Sequence, residues 1–281
     1  MSDIHVFNHR AMATHFQARI ADQDNTYAAQ AAQTAFELAD GLESLLSRFR
    51  VASQISQIAR LAPGESLRLG EPVFECLQLA KKMELATRGA FSATAAALQS
   101  QPAPPQWTLG SFAVRCDRGK VELDLGAIGK GFALDRMAAV LRDWSCPAFL
   151  LVAGGSSILA GDAPAGTAGW SCGLGDDHAP CRYWLKNASL SGSGLAVKGK
   201  HILDPRTGRP APRLNRAWAL CDTAAESDAL STACMVLAEP EIAEILAAEK
   251  SWLVFLEENE NARPLGSRAL PLKEQSRNQR G

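Results

Sequence analysis

The run Asp228-Ala229-Leu230-Ser231-Thr232 holds two oxygen-bearing side chains four positions apart. On a helix that spacing puts both on one face. A carboxylate beside a hydroxyl suits a hard cation that keeps some water and phosphate ligands, as Mg²⁺ does. The bland alternative is an acidic residue in a first helical turn, favoured there by the helix dipole. A second candidate is Asp124-Leu125-Gly126-Ala127-Ile128-Gly129-Lys130-Gly131. Its glycines run G-x-x-G-x-G, which is neither the dinucleotide fingerprint nor a P-loop. A strand ending at Asp124, a glycine turn and a helix start still make a nest of backbone N–H groups for an anion. Lys130 adds a point charge to it. Taken alone, a tight strand-to-helix turn explains the pattern equally well. His201, one of five histidines, precedes a polar turn and fits a base, a phosphate contact or a plain loop residue. No G-x-S-x-G elbow and no Cys–His pair suggests nucleophilic catalysis.

The elements that position these residues read as follows. Residues 4–20 form a strand pair broken at Met12-Ala13-Thr14-His15. Asn25 or Thr26 caps a helix that runs to about residue 47, with Phe36, Leu38, Leu42, Leu45, Leu46 and Phe49 at helical spacing. A second helix opens at Pro72 and ends before Gly89. Phe112–Cys116 and Val121–Leu125 read as a hairpin around Asp117-Arg118-Gly119-Lys120. The glycine turn enters a helix reaching about Trp144. Strands follow at 149–152, 170–173, 182–186, 189–191 and 217–221. Helices over 224–238 and 240–249 precede a last strand at 251–256. Hairpins mixed with helix-separated strands predict an α+β fold, with mixed, largely antiparallel sheets packed with helices. One domain is expected over 1–257, as a single unit or two intimately packed halves. A loose polar tail is expected over 258–281.

Composition narrows the function classes. The chain has 281 residues, 29 basic and 30 acidic side chains, and a net charge of −1. That balance argues against a nucleic-acid or acidic-membrane coat. No run of 18 apolar residues predicts a membrane helix. No basic segment followed by an apolar one opens the sequence, so a cytoplasmic location is expected. The seven cysteines are scattered without a C-x-x-C pair, which predicts reduced thiols and no structural zinc.

The order of these pieces resembles the ApbE family, the FAD:protein FMN transferases. Met12-Ala13-Thr14, Ser53-Gln54-Ile55-Ser56, Gly89-Ala90-Phe91, the Asp124–Asp135 block, Gly154-Gly155, Ser191-Gly192, the block from His201 to Gly208 and Asp228–Ala233 follow one another over roughly residues 10–257. The resemblance implies a mixed α/β fold that uses FAD and Mg²⁺. It implies that Met12, Phe49, Ala90, Phe91, Ser92, Asp124, Lys130 and Ile202 line the FAD. It places Mg²⁺ on Asp228, Thr232 and the backbone carbonyl of Ala127, and gives His201 a part in the transfer. The implied reaction splits the FAD pyrophosphate, joins FMN to a Ser or Thr of a target flavoprotein through a phosphodiester, and releases AMP. An FAD pyrophosphatase on the same site, or a flavin-binding protein with weakened catalysis, are the alternatives.

Four departures from the family pattern bear on the site. Ala13 stands where Gly is usual, and Phe49 where Tyr or Trp is usual, so the polar handle is gone. Phe91-Ser92-Ala93-Thr94-Ala95-Ala96-Ala97-Leu98 replaces Phe-Asp-Pro-Thr-Val-Gly-Pro-Leu, which removes a carboxylate. Ser156 replaces an Asp after Gly154-Gly155.

Overall fold

The computed structural model describes residues 3–100, 103–174, 181–194, 203–209, 211, 214–258 and 261–274. Two short hairpin strands open the chain, β1 (Ile4–Ala11) and β2 (Thr14–Ala21). Helices α1 (Asn25–Leu46) and α2 (Gln54–Ile58), strand β3 (Ser66–Arg68) and helix α3 (Glu71–Ala86) follow. Strands β4 (Gln106–Gly110) and β5 (Ala113–Arg118) precede helix α4 (Gly129–Asp143). Then come β6 (Phe149–Ala153), β7 (Ser157–Ala160), β8 (Trp170–Gly173), β9 (Arg182–Leu185), β10 (Ala188–Gly194) and β11 (Arg216–Cys221). Helices α5 (Ala224–Cys234) and α6 (Glu239–Ala248) and strands β12 (Leu253–Glu258), β13 (Asn261–Leu265) and β14 (Leu272–Lys273) close it. This is the expected α+β class.

Eight strands form one sheet in the order β1-β2-β6-β7-β10-β11-β12-β13, and two three-stranded sheets run β14-β9-β8 and β3-β5-β4. The pairings are antiparallel throughout. Strand alternation divides the large sheet into two buried faces. Phe16, Ala18, Ile20, Leu151 and Ala219 face the helices in the main core. Leu150, Leu190, Trp218, Leu220 and Phe255 face a second core shared with Trp170, Tyr183 and Leu185 of the small β14-β9-β8 sheet.

Helix α1 is capped by Asp24, not by Asn25 or Thr26, because the Asp24 carboxylate accepts the N–H groups of Thr26 and Tyr27, and it ends at Leu46, leaving Phe49 beyond it. Its buried stripe is mostly alanine, with Ala28, Ala31, Ala32, Ala35 and Ala39 inward. Small side chains let α1 pack closely on its neighbours. The expected hairpin between 112–116 and 121–125 is not formed. Instead β5 folds back on β4 through Ser111 and Phe112, both with positive φ (50° and 55°). The stretch expected as a loose tail contributes two strands, β13 on the edge of the large sheet and β14 on the small one. The described cysteines are unpaired. Among the described residues no helix is long and apolar enough to cross a membrane.

Candidate active site

The site is built where the first turn of α4 meets the first turns of α5. Before α4, the N–H groups of Ile128 and Gly129 fold back on the Leu125 carbonyl at 3.0 and 2.6 Å. Asp124 holds this turn through Oδ1, which accepts the Gly126 N–H at 2.9 Å. Its other oxygen lies 3.5 Å from the Arg48 guanidinium. Gly131, one turn on, faces the α5 backbone. A Cβ there would sit 2.1 Å from the Ala224 carbonyl oxygen, so only glycine permits this approach. Asp135 completes the junction by accepting the N–H groups of Ala224 and Ala225 at 2.7 and 2.9 Å. Burial pushes the Asp135 carboxyl up to about 7, against the pull of those two N–H groups, with Asp228 and Glu226 adding to the rise.

Asp228 projects from α5 into this junction and is 5% exposed. Its Oδ1 accepts the Ser157 hydroxyl at 2.5 Å, and its Oδ2 accepts the Gly131 N–H at 2.8 Å. Lys130 Nζ stands 3.8 Å from Oδ2. Thr232, four residues along, stands away from the apolar core. Its Oγ1 lies 3.2 Å from the Ser193 hydroxyl on β10, which is also 3.1 Å from Ser231 Oγ. Farther down the same contact, Ser189 and Ser191 each meet the Ser227 hydroxyl, at 2.7 and 2.8 Å. The β10–α5 contact is thus a seam of satisfied hydroxyls.

The other expected residues fall into two groups. Phe49 is 81% exposed, with the Arg48 guanidinium 4.7 Å from its ring centre. Both line a cleft of about 530 Å³ that also takes in Lys120 and Leu123. Met12 belongs to the β1–β2 turn, and its N–H donates to Glu43 at 2.8 Å. Glu43 also pairs with Arg50 at 2.9 Å, which ties that turn to the loop bearing Phe49. Ala90 and Phe91 are buried, leaving main chain and Ser92 to meet a ligand. Ser92 donates to Glu84 at 2.7 Å, and the Ala93 carbonyl accepts the Asp124 N–H at 2.7 Å. His201 and Ile202 lie outside the described residues.

The structure therefore brings Gly131 and Lys130 of the α4 start onto Asp228, with Thr232 one helical turn along α5 against Ser193, and Phe49 near Asp124 through Arg48. Ser157, Ser193 and Asp135 were missed as contributors. The signal for Ser193 lay in Ser189, Ser191 and Ser193 at strand spacing opposite Ser227 and Ser231 at helix spacing. Among the described residues no three His, Cys, Asp or Glu side chains cluster as a metal site. The donors present are one carboxylate, one hydroxyl and the main chain of the turn. Such a sparse, all-oxygen set fits a hard divalent cation that keeps water and phosphate ligands, and not a thiolate- or imidazole-bound metal.

A model of the ApbE family matches residues 12–255. The FAD:protein FMN transferase of Klebsiella pneumoniae (strain 342) is 24% identical over 254 residues, covering 75% of this chain and 75% of that protein. A FAD:protein FMN transferase of Rhodobacter capsulatus is 31% identical over 165 residues, covering 53% of this chain but 31% of its own length. Among solved structures, flavin transferase ApbE from Vibrio cholerae matches with a TM-score of 0.81 at 17% identity, over 95% of this chain and 98% of that one. The flavinyl transferase ApbE of Pseudomonas stutzeri in its apo form gives 0.79 at 18%, over 94% of each. These two share its fold, and with the family model spanning nearly the whole chain, the protein belongs to the ApbE family.

Proposed function

We propose that this chain is a magnesium-dependent FAD:protein FMN transferase. The observation that carries the proposal is the buried Asp228 carboxylate, seated between the Gly131 N–H and Ser157 with Lys130 at 3.8 Å, in a chain of the ApbE family. In this reading Asp228, Thr232 and the Ala127 carbonyl hold Mg²⁺. The ion, when bound, supplies Lewis-acid charge neutralisation at the pyrophosphate. Met12, Phe49, the main chain of Ala90–Ser92, Asp124, Lys130 and Ile202 bind and orient FAD. A Ser or Thr hydroxyl of the acceptor flavoprotein attacks the phosphorus on the FMN side. The new bond is the P–O ester to the acceptor, and the pyrophosphate P–O bond to AMP breaks. His201 takes the hydroxyl proton, and Lys130 supports the negative charge that grows on the phosphates.

The test is incubation with FAD, Mg²⁺ and a cell lysate, followed by a denaturing gel viewed under ultraviolet light. A fluorescent protein band that needs both FAD and Mg²⁺, with AMP in equal amount, is expected. AMP and free FMN without a labelled band would make the chain an FAD pyrophosphatase. FAD binding without turnover would leave only a flavin-binding protein. His201→Asn should keep melting temperature and FAD affinity while losing about 10²–10⁴-fold in transfer rate.

A further inference from the structure

The large sheet and the small β14-β9-β8 sheet pack face to face over the second core, then part company at one end. There they leave a groove of about 600 Å³. One wall carries Arg19 of β2 and Arg216 of β11, the other Arg182 of β9, with His15 beside them. Among the described residues no carboxylate lines it, although the chain as a whole has slightly more acidic than basic side chains. Arg182 is shared with Glu274 at 3.2 Å. Arg19 donates through Nε to Gln17 at 2.7 Å. Among the described residues, neither Arg19 nor Arg216 meets a carboxylate within ion-pair distance. Arg182 thus has a counter-charge of its own, whereas Arg19 and Arg216 leave one wall of a single sign, complementary to a partner of the opposite sign.

The groove also has a direction. Its lining includes the Gly154–Ser156 turn and Ser193. That turn leads directly to Ser157, whose hydroxyl binds Asp228, and Ser193 Oγ lies 3.2 Å from Thr232 Oγ1. An occupant lying along the groove reaches the Asp228–Thr232 junction from the sheet side. The Phe49 cleft, with Arg48, Lys120 and Leu123, is lined by a separate set of residues. Of the residues proposed above for the nucleotide, Phe49 lines that cleft, and Asp124 and Lys130 belong to the turn into α4; none of them lines the groove, which suits it to the second substrate.

We infer that this groove docks an extended, acidic stretch of the acceptor polypeptide and delivers its hydroxyl to the Asp228–Thr232 junction. The inference rests on the transferase reading for the identity of the partner. Extended chain suits the site, since alternate side chains can meet the two arginine-bearing walls while the backbone runs between the sheets.

Three fluorescein-labelled peptides of one length test it, each with a central Ser in a Gly/Ala background and flanked by Asp, Gln or Lys. Anisotropy is read at low salt, first without FAD. The Asp peptide should bind about tenfold tighter than the Gln peptide, and added salt should erase the difference. Arg19→Glu with Arg216→Glu should remove the preference, Arg19→Gln with Arg216→Gln should reduce it, and FAD affinity should stay within about twofold. Melting temperatures check that the variants are folded, and the Gln pair carries the test if the Glu pair is not. Equal binding of the Asp and Gln peptides overturns the inference, as does an Asp preference that survives both double variants. Loss of FAD affinity in those variants also overturns it, because the groove would then belong to the nucleotide. If no peptide or protein ever acquires FMN while the arginine-dependent Asp preference persists, the transferase reading fails separately.

Discussion

The backbone N–H of Gly131 donates to Asp228 Oδ2 at 2.8 Å, across 97 residues of sequence. The bond fixes the carboxylate from the α4 side, while Ser157 fixes its other oxygen from β7. Two of its lone pairs are thereby committed, and the remainder define where a cation can approach.

Asp228→Asn keeps the volume and one acceptor oxygen but removes the charge. Mg²⁺-dependent transfer should fall at least about a hundredfold. Calorimetric titration should show Mg²⁺ binding lost, with the melting temperature shifted by only a few degrees, since the carboxamide oxygen can keep the Gly131 N–H while its NH2 donates to the Ser157 hydroxyl turned to accept. Retention of Mg²⁺ binding would place the ion elsewhere.

Gly131→Ala tests the helix junction. The new Cβ would meet the backbone of Ala224 and Ala225 at 2.1 to 2.6 Å, and backbone cannot yield as a side-chain tip does. A loss of about 2–4 kcal/mol in urea unfolding is expected, with activity lost alongside. Gly41→Ala in α1 is the control, since nothing lies within 4 Å of its added Cβ. It should stabilise by about 0.5–1 kcal/mol.

Ala13→Gly should also stabilise. Met12 and Ala13 form the two-residue β1–β2 turn with φ of 50° and 56°, between the Ala11–Thr14 pair. A left-handed L-residue costs about 1–2 kcal/mol, part of which glycine recovers. The expected gain is about 0.5–1 kcal/mol, because glycine also loosens the unfolded chain. A lower melting temperature would mean that the Ala13 methyl contributes packing.

Arg206 gives a pH signature. Its side-chain hydrogen bonds hold the Asp204 carboxyl below the usual carboxylate range, and the same guanidinium reaches Glu241 at 2.6 Å. A depressed folded-state value stabilises above the unfolded carboxylate pKa and is lost as pH falls through the folded one. Arg206→Ala should therefore cost about 1–2 kcal/mol at neutral pH. The gap to wild type should close as the solution is acidified below about pH 4. A constant gap down to acid pH would mean that Arg206 acts through packing alone.

What the sequence conveyed was the local part. The Asp228–Thr232 spacing is an i, i+4 relation and needs no knowledge of the rest of the chain. The break at Met12-Ala13 was likewise visible as an interruption of alternation. The misplaced hairpin shows the limit. Asp117-Arg118-Gly119-Lys120 is the better turn by composition, yet the chain turns at Ser111-Phe112. Phe112 tolerates a left-handed backbone there while its ring packs 4.5 Å from that of Phe74, a contact no local pattern announces. The β13 strand was missed because Asn261–Leu265 is polar and holds Pro264, features that an edge strand admits and a central one does not. The serine seam needed β10 and α5 to be seen together, and Asp135 needed α4 and α5.

The carboxylate seat also sets when activity can appear during folding. Its three parts come from α4, β7 and α5, and its closures span 97 and 71 residues. Contacts of such long sequence separation carry a loop-closure cost that must be met before they return any stabilisation. A nascent chain that has made α4 and β7 still lacks Asp228, so on the proposed reading no fragment ending before α5 holds the ion. Recovery of Mg²⁺ binding after denaturant dilution should then track the slowest global refolding phase, lagging behind the return of helical signal from α1, whose Asp24 cap is local to its own turn.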